Sequence, residues 1–160
     1  NNIYLSDNGM IQMASGTDGI LNSGLRAIWI SRNGGLNWSV SKSGDNYKAI
    51  CMSGDGQRMY LCVEGTTSFI YISTNAGVSW TQGGTTNTYS ASSMSCSQNG
   101  QYIIVDGGNT QPSFFSSNYG VSFIRFAGGP GIARHCMSDD GSRLFSYSPG
   151  AGIYLSLIHI

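Results

Sequence analysis

The sequence predicts an all-β chain. The expected architecture is a β-propeller arc of about four four-stranded antiparallel blades, the last one incomplete. Three observations carry this expectation. Two short motifs recur, interleaved, with a common period of 41 to 47 residues. The segments between them are short runs rich in Ile, Val, Tyr and Phe, which suit strands. No segment keeps apolar residues at i, i+3 and i+4 over three turns, so almost no helix is expected.

The first motif is Ser-x-Asn-x-Gly-x-(Asn/Ser)-(Trp/Phe). It reads Ser31-Arg32-Asn33-Gly34-Gly35-Leu36-Asn37-Trp38, then Ser73-Thr74-Asn75-Ala76-Gly77-Val78-Ser79-Trp80, then Ser116-Ser117-Asn118-Tyr119-Gly120-Val121-Ser122-Phe123. The leading serines are 42 and 43 residues apart. The second motif is Ser-x-(Asp/Asn)-Gly, at Ser6–Gly9, Ser53–Gly56, Ser97–Gly100 and Ser138–Gly141. Each copy precedes a strand-like run. An Asp or Asn side chain bonds nearby backbone amides and Gly accepts positive φ, so both motifs read as hairpin turns.

The strands then follow in order. The first repeat has Asn2–Leu5, Met10–Ala14, Leu25–Ile30 and Asn37–Val40, with a long loop from Ser15 to Gly24. The second has Tyr47–Met52, Arg58–Val63, Ser68–Ile72 and Ser79–Gln82. The third has Ser92–Cys96, Gln101–Val105, Ser113–Ser116 and Ser122–Phe126. The fourth has Ala133–Met137, Arg143–Tyr147 and Gly152–Leu155, and lacks a fourth strand. Blade limits near 1–42, 43–86, 87–128 and 129–160 divide one partial propeller. One blade cannot bury both faces alone, and radial stacking solves that problem.

Composition narrows the function classes. The chain has 160 residues, is 40% apolar and only 10% charged, and carries zero formal net charge. Apolar content is too high for a disordered chain. Zero net charge argues against an electrostatic nucleic-acid binder. No apolar run approaches the length of a membrane-spanning helix. Low charge with abundant Ser, Gly and Asn suits a secreted, cell-surface or virion protein. The four cysteines, Cys51, Cys62, Cys96 and Cys136, form no C-x-x-C pair and are expected as small buried fillers of strands. His135 and His159 complete no zinc pattern, so no metal and no cofactor is expected. His135 beside a strand reads as structural. The Asp139-Asp140 pair lies in a repeated turn and reads as structural too. Asn37-Trp38-Ser39 matches a glycosylation sequon, discounted because Asn37 sits in a tight hairpin. No phosphate loop or nucleophile elbow is present.

The first motif resembles the Asp-box, or bacterial neuraminidase repeat, of sialidases, sortilin-type receptors and photosystem assembly factors. The resemblance implies a propeller in which the box hairpin joins the third and fourth strands of each blade. Asn33, Asn75 and Asn118 stand where the family has Asp, and Phe123 where it has Trp. In that family the box is scaffolding. Ser31, Asn33, Gly35 and Trp38, with Ser73, Asn75, Gly77 and Trp80 and with Ser116, Asn118, Gly120 and Phe123, are therefore expected as structural residues. Trp38, Trp80 and Phe123 are expected to pack between strands.

Both turn motifs then lie at one end of each blade, and the variable loops at the other. Binding residues concentrate on variable loops held by a rigid scaffold. The loop-end candidates are Asp18, Arg26, Asp45, Glu64, Asp106, Asn109 and Arg134. A sialidase, which the resemblance brings to mind, would need three converging arginines, a Tyr/Glu pair and an Asp acid/base. Arg32, Arg58 and Arg143 fall at the turn end, leaving Arg26, Arg125 and Arg134, and Glu64 is the single Glu. No catalytic residue is assigned. The preferred reading is a non-enzymatic module presenting loops to a protein or carbohydrate partner. The alternative is a piece of a sialidase-like exo-glycosidase. After Ser156 the box pattern is replaced by Leu157-Ile158-His159-Ile160, so the chain reads as a fragment whose further partner is the remaining blades of its own propeller.

Overall fold

The computed structural model describes residues 2–17, 26–64, 68–86, 91–107, 111–126, 134–148 and 152–157. All regular structure among the described residues is strand. The first antiparallel sheet orders β1 (Asn2–Leu5), β2 (Gln12–Thr17), β3 (Arg26–Ser31) and β4 (Ser39–Asp45). The second orders β5 (Tyr47–Met52), β6 (Met59–Val63), β7 (Phe69–Ser73) and β8 (Thr81–Thr85). The third has β9 (Ser93–Cys96), β10 (Ile103–Asp106), β11 (Ser113–Ser116) and β12 (Ile124–Phe126). The fourth has three strands, β13 (Arg134–Met137), β14 (Arg143–Ser148) and β15 (Gly152–Leu157).

Each sheet is a meander, so chain order is spatial order. The first strands of successive sheets, β1, β5, β9 and β13, pack against one another. The sheets therefore fan out from a common inner edge.

The serine-led turns set the hairpins. In the short turn, the Ser53 hydroxyl donates to Asp55 Oδ1 at 2.6 Å and accepts from the Arg58 amide at 3.0 Å, while the Gln57 amide donates to Asp55 Oδ1 at 2.9 Å. Ser6, Ser97 and Ser138 repeat this with Asn8, Asn99 and Asp140. In the longer hairpin, Ser73 Oγ donates to Asn75 Oδ1 at 2.9 Å and accepts from the Gly77 amide at 2.9 Å. Asn75 Oδ1 also accepts from the Ser79 amide at 3.0 Å. Ser31 with Asn33 and Ser116 with Asn118 make the same set.

The fourth strands differ from the expectation. They begin two residues late, at Ser39, Thr81 and Ile124, because the residues just before them are still held by the box. β4 and β8 also run on through residues expected as inter-sheet loop. Breaks in the β3–β4 register at Arg26/Ala27 and Ile28/Trp29 absorb the extra residues Gly44 and Ser41. Bulges of this kind let a strand continue while re-aiming a side chain. Ser41 is re-aimed at the second sheet, where its hydroxyl bonds Gly77 O and accepts from Trp80 Nε1 at 2.9 Å.

Two apolar clusters fill the gaps between sheets. Met13, Ile28 and Ile30 of the first sheet meet Ile50, Met52, Met59 and Leu61 of the second. Cys51, Tyr60, Cys62 and Ile70 on the opposite face of the second sheet meet Met94, Ile103 and Val105 of the third. The short turns are also joined directly. The Asp7 amide donates to Gly54 O, the Gly54 amide to Gln98 O, and the Gln98 amide to Asp139 O, each at 2.8 Å.

All four cysteines are free thiols. Cys51 and Cys62 are buried, and burial pushes the Cys62 thiol up to about 12. Cys96 is half-buried against Met52 O at 3.2 Å. Cys136 is exposed, contrary to the expectation of a buried filler. It occupies the register position of Cys51, but no described sheet follows β13 to cover it.

Trp38 departs in the same way. It is 37% exposed and its Nε1 donates to Gly35 O of its own hairpin at 3.2 Å, whereas Trp80 reaches Ser41 of the preceding sheet. Phe123 likewise lies against Gly84 of β8. No described sheet precedes β1, so Trp38 has no such neighbour.

The inter-sheet fit predicts unequal costs for two glycines of similar φ. Gly77 has φ +74 and a Cβ there would collide with Ile30 Cδ1, while Gly9 has φ +69 and open space. Gly9→Ala should cost about 1 kcal/mol from backbone strain alone. Gly77→Ala should cost about 2 kcal/mol more, from overpacking. Urea unfolding of both variants measures the difference.

Candidate functional site

The chain enters each blade from the loop end, so the loop-end residues stand at strand termini. Asp18 and Asn109 lie outside the described residues. Arg26 and Asp45 are register partners at the open end of β3 and β4, and both are half-buried. Asp45 Oδ2 accepts from the Tyr47 hydroxyl at 3.3 Å. Glu64 Oε2 accepts from Asn46 Nδ2 at 2.7 Å and pairs with Lys48 Nζ at 3.0 Å. These residues gather at the junction of the first two sheets. Asp45 was expected in a loop and sits instead on an extended β4.

Asp106 and Arg134 come together at the junction of the third and fourth sheets, in different roles. Arg134 is exposed. Asp106 is fully buried rather than a solvated loop residue. Its Oδ2 accepts from the Ser93 hydroxyl and, at 3.2 Å, from the His135 amide. Its Oδ1 has no hydrogen-bond partner among the described residues and lies 3.5 Å from His135 Nε2.

His135 was expected to be structural. It is buried, with Nδ1 2.6 Å from Ser146 Oγ, Nε2 3.0 Å from Ser113 Oγ, and its ring edge-on to Phe126 at 5.6 Å. By register, Ser113 and Ser146 stand where the second sheet has Ile70 and Leu61. That exchange of apolar for polar at matched positions is the sequence signal of this cluster.

Burial dominates the electrostatics. It pushes the Asp106 carboxyl up to about 7, against the pull of Ser93 and the His135 amide, and pushes the His135 imidazole down to about 4. Between those values both groups are neutral, so their 3.5 Å approach is not an ion pair in that range. Chemically the cluster is a sealed hydrogen-bond network that joins two sheets.

The opposite end carries a concave pocket of about 560 Å³ whose lining includes Asp7, Asp55, Gln98, Asp139 and Asp140. Hydrogen bonds from Ser138 and Ser142 hold the Asp140 carboxyl down at about 2. Asp7 Oδ2 accepts from Gln98 Nε2 at 2.5 Å. The Asp55 and Asp140 carboxylates serve their own turns, and Asp7 bridges to the turn of the third sheet. Among the described residues no three His, Cys, Asp or Glu side chains converge as metal ligands.

Meandering sheets fanned about an inner edge define an arc of a β-propeller, and comparison with solved structures bears this out. The chain matches a Niastella koreensis GH74 enzyme at TM-score 0.73 and 24% identity, over 98% of this chain and 22% of that one. It matches Kuenenia stuttgartiensis hydrazine synthase at TM-score 0.72 and 12% identity, over 99% of this chain and 58% of that one. It also matches YCF48 bound to D1 peptide at TM-score 0.63 and 12% identity, over 98% and 52%. The chain thus spans between about a fifth and three fifths of these neighbours' lengths. At these identities the likeness is one of fold. No family model and no curated protein matches the chain.

The buried cluster makes a pH prediction. A carboxyl raised toward 7 removes stability as pH climbs from about 4 to about 7, and an imidazole lowered toward 4 adds it up to about 6.5. The two slopes oppose each other in the wild type. In Asp106→Asn only the histidine slope remains, so unfolding midpoints should rise steadily over this range. At pH 8 the variant should be more stable than wild type, by about 4 kcal/mol at most. Parallel thermal-unfolding profiles for the two proteins would refute the assignment.

Proposed function

We propose that this propeller arc is a non-enzymatic binding module that presents its loop end to a protein or carbohydrate partner. One observation carries the reading: among the described residues the loop-end acids Asp45, Glu64 and Asp106 are engaged in structure rather than poised for chemistry. Glu64, the single Glu, is held by Asn46 and Lys48, and Asp106 is sealed between sheets. General acid–base catalysis needs a carboxyl within reach of substrate.

The arginines support the same reading. Arg26 belongs to the first sheet and Arg134 to the fourth, while Arg125 lies on β12, the outermost strand of the third. A planar carboxylate is best clamped by guanidinium groups that converge. Exposed Arg134 is better suited to a partner's surface.

The neighbours are compatible with this class of role. YCF48 is seen bound to D1 peptide, and a nidogen/laminin complex contains a chain of the same fold, at TM-score 0.71. The Asp-box resemblance of the hairpins belongs to this proposal too, as does the division into blades near 1–42, 43–86, 87–128 and 129–160.

A glycan array and a cross-linking pull-down with the purified chain test the reading. A captured ligand should lose about tenfold in affinity, equivalent to about 1.4 kcal/mol, with Arg134→Ala. It should be unaffected by Arg143→Ala at the turn end. Hydrolysis of a fluorogenic sialoside, abolished by Arg134→Ala, would overturn the non-enzymatic reading.

A further inference from the structure

Two cysteines meet across the junction of the second and third sheets. Successive residues of a strand point to opposite faces of its sheet. On β5, Cys51 accordingly faces the third sheet and Met52 the first. Two residues before each corner serine stand Tyr4, Cys51, Ser95 and Cys136, and one residue before it stand Leu5, Met52, Cys96 and Met137. By position the three junctions align Tyr4 with Met52, Cys51 with Cys96, and Ser95 with Met137. Of these three, the middle one alone brings a thiol from each side.

The surroundings hold that pair in place. Cys51 is fully buried in the apolar cluster between the two sheets, and Cys96 is half-buried against the same cluster. A side-chain hydrogen bond links Cys51 and Cys96. The Cys96 thiol also donates to O of Met52, the residue next to Cys51, at 3.2 Å. Strands β5 and β9, which carry the two cysteines, pack directly on one another.

Two phenols flank both thiols, Tyr4 from the first sheet and Tyr60 from the second. Their hydroxyls donate to Met94 O at 2.8 Å and to Gly100 O at 2.7 Å, both in the third sheet and its turn. The two inner strands therefore cannot draw apart without breaking these bonds. A disulfide needs two cysteines on facing backbones with their Cβ vectors directed at each other. The opposed faces of β5 and β9 supply that arrangement.

We propose that Cys51 and Cys96 are a redox pair whose disulfide staples the second sheet to the third. The oxidant is a small disulfide of the oxidised-glutathione type. Cys96 is the thiol within reach of solvent, so its sulfur attacks first, forming a mixed disulfide and releasing one small thiol. The Cys51 sulfur then attacks Cys96 Sγ and displaces the second small thiol. The two protons leave with the two small thiols, the protein pair loses two electrons, and the small disulfide gains them. Burial pushes the Cys51 thiol well above its ordinary value, so the second step is the slow one and quickens as pH rises. The bridge closes the loop from Cys51 to Cys96, which removes freedom from the unfolded chain. It forms where disulfides persist, and in a reducing compartment the pair stays as two thiols.

Oxidised glutathione, incubated at mildly alkaline pH with the folded chain and followed by non-reducing peptide mapping, tests this. The chain carries Cys136→Ala, so that the exposed thiol joins no second copy. The peptide holding Cys51 should be linked to the one holding Cys96, with the loss of two hydrogens, while Cys62 stays a thiol. In urea the oxidised chain should unfold with an equilibrium constant at least about 30-fold smaller than the reduced chain. Cys96→Ser changes a half-buried side chain and should abolish that difference between oxidised and reduced samples. Cys51→Ala should abolish it too, and serves as the second variant should the first not fold. A chain that keeps both thiols free overturns the proposal, as does one that stops at a glutathione adduct on Cys96 or links Cys62 instead. So does an oxidised chain no more stable than the reduced one. These readouts are independent of any loop-end ligand.

Discussion

The arrangement depends on the serine hydroxyl at each corner, buried at all but Ser138. In the short turns it donates to the Asp or Asn two residues on and accepts an amide five residues on. Ser6, Ser31, Ser53, Ser73, Ser97 and Ser116 are all buried, so no water substitutes for the bonds they make. A buried polar group left unbonded costs about 1–3 kcal/mol, and each corner would lose more than one partner at once. Because the corner satisfies itself locally, the residue after the serine is free to bond outward. Asp7, Gly54 and Gln98 use that freedom to join neighbouring turns. The corner thus sets both the hairpin and the spacing between sheets.

That spacing governs what the loop end can do. Glu64 and Asp45 lie where two sheets meet and are drawn into bonds that hold the junction. At the next-but-one junction the filling is polar instead of apolar, with His135, Ser113 and Ser146 surrounding Asp106. Carboxylates at the ends of propeller strands thus meet two opposing demands, joining the wedges and meeting a ligand. In this chain the first demand takes most of them.

The corners were legible from the sequence because their chemistry is local. A Ser, an Asn or Asp two positions on, and a Gly at positive φ carry the turn within a few residues, and repetition made the signal plain. The strands between them followed from residue type. The fate of Asp106 was not legible in the same way. Its burial depends on Ser93, Ser113 and His135, brought together from three separate strands. Cys136 and Trp38 misled for a related reason. Their repeat positions are covered only where a neighbouring sheet exists, fully at Cys51 and partly at Trp80 and Phe123, and local sequence does not encode the neighbour. The long outer strand β4 depends on register breaks, which no motif announces.

Two bonds pass over a neighbour. The Tyr4 hydroxyl donates to Met94 O at 2.8 Å, and Gln98 reaches Asp7, so the first wedge is tied to the third as well as to the second. A stack linked only between adjacent units could assemble stepwise as it leaves the ribosome. Here the earliest segment keeps an unanswered phenol and carboxylate until some ninety residues later in synthesis, when their partners arrive. Arrival of the third wedge therefore closes bonds that bind the first three into one unit.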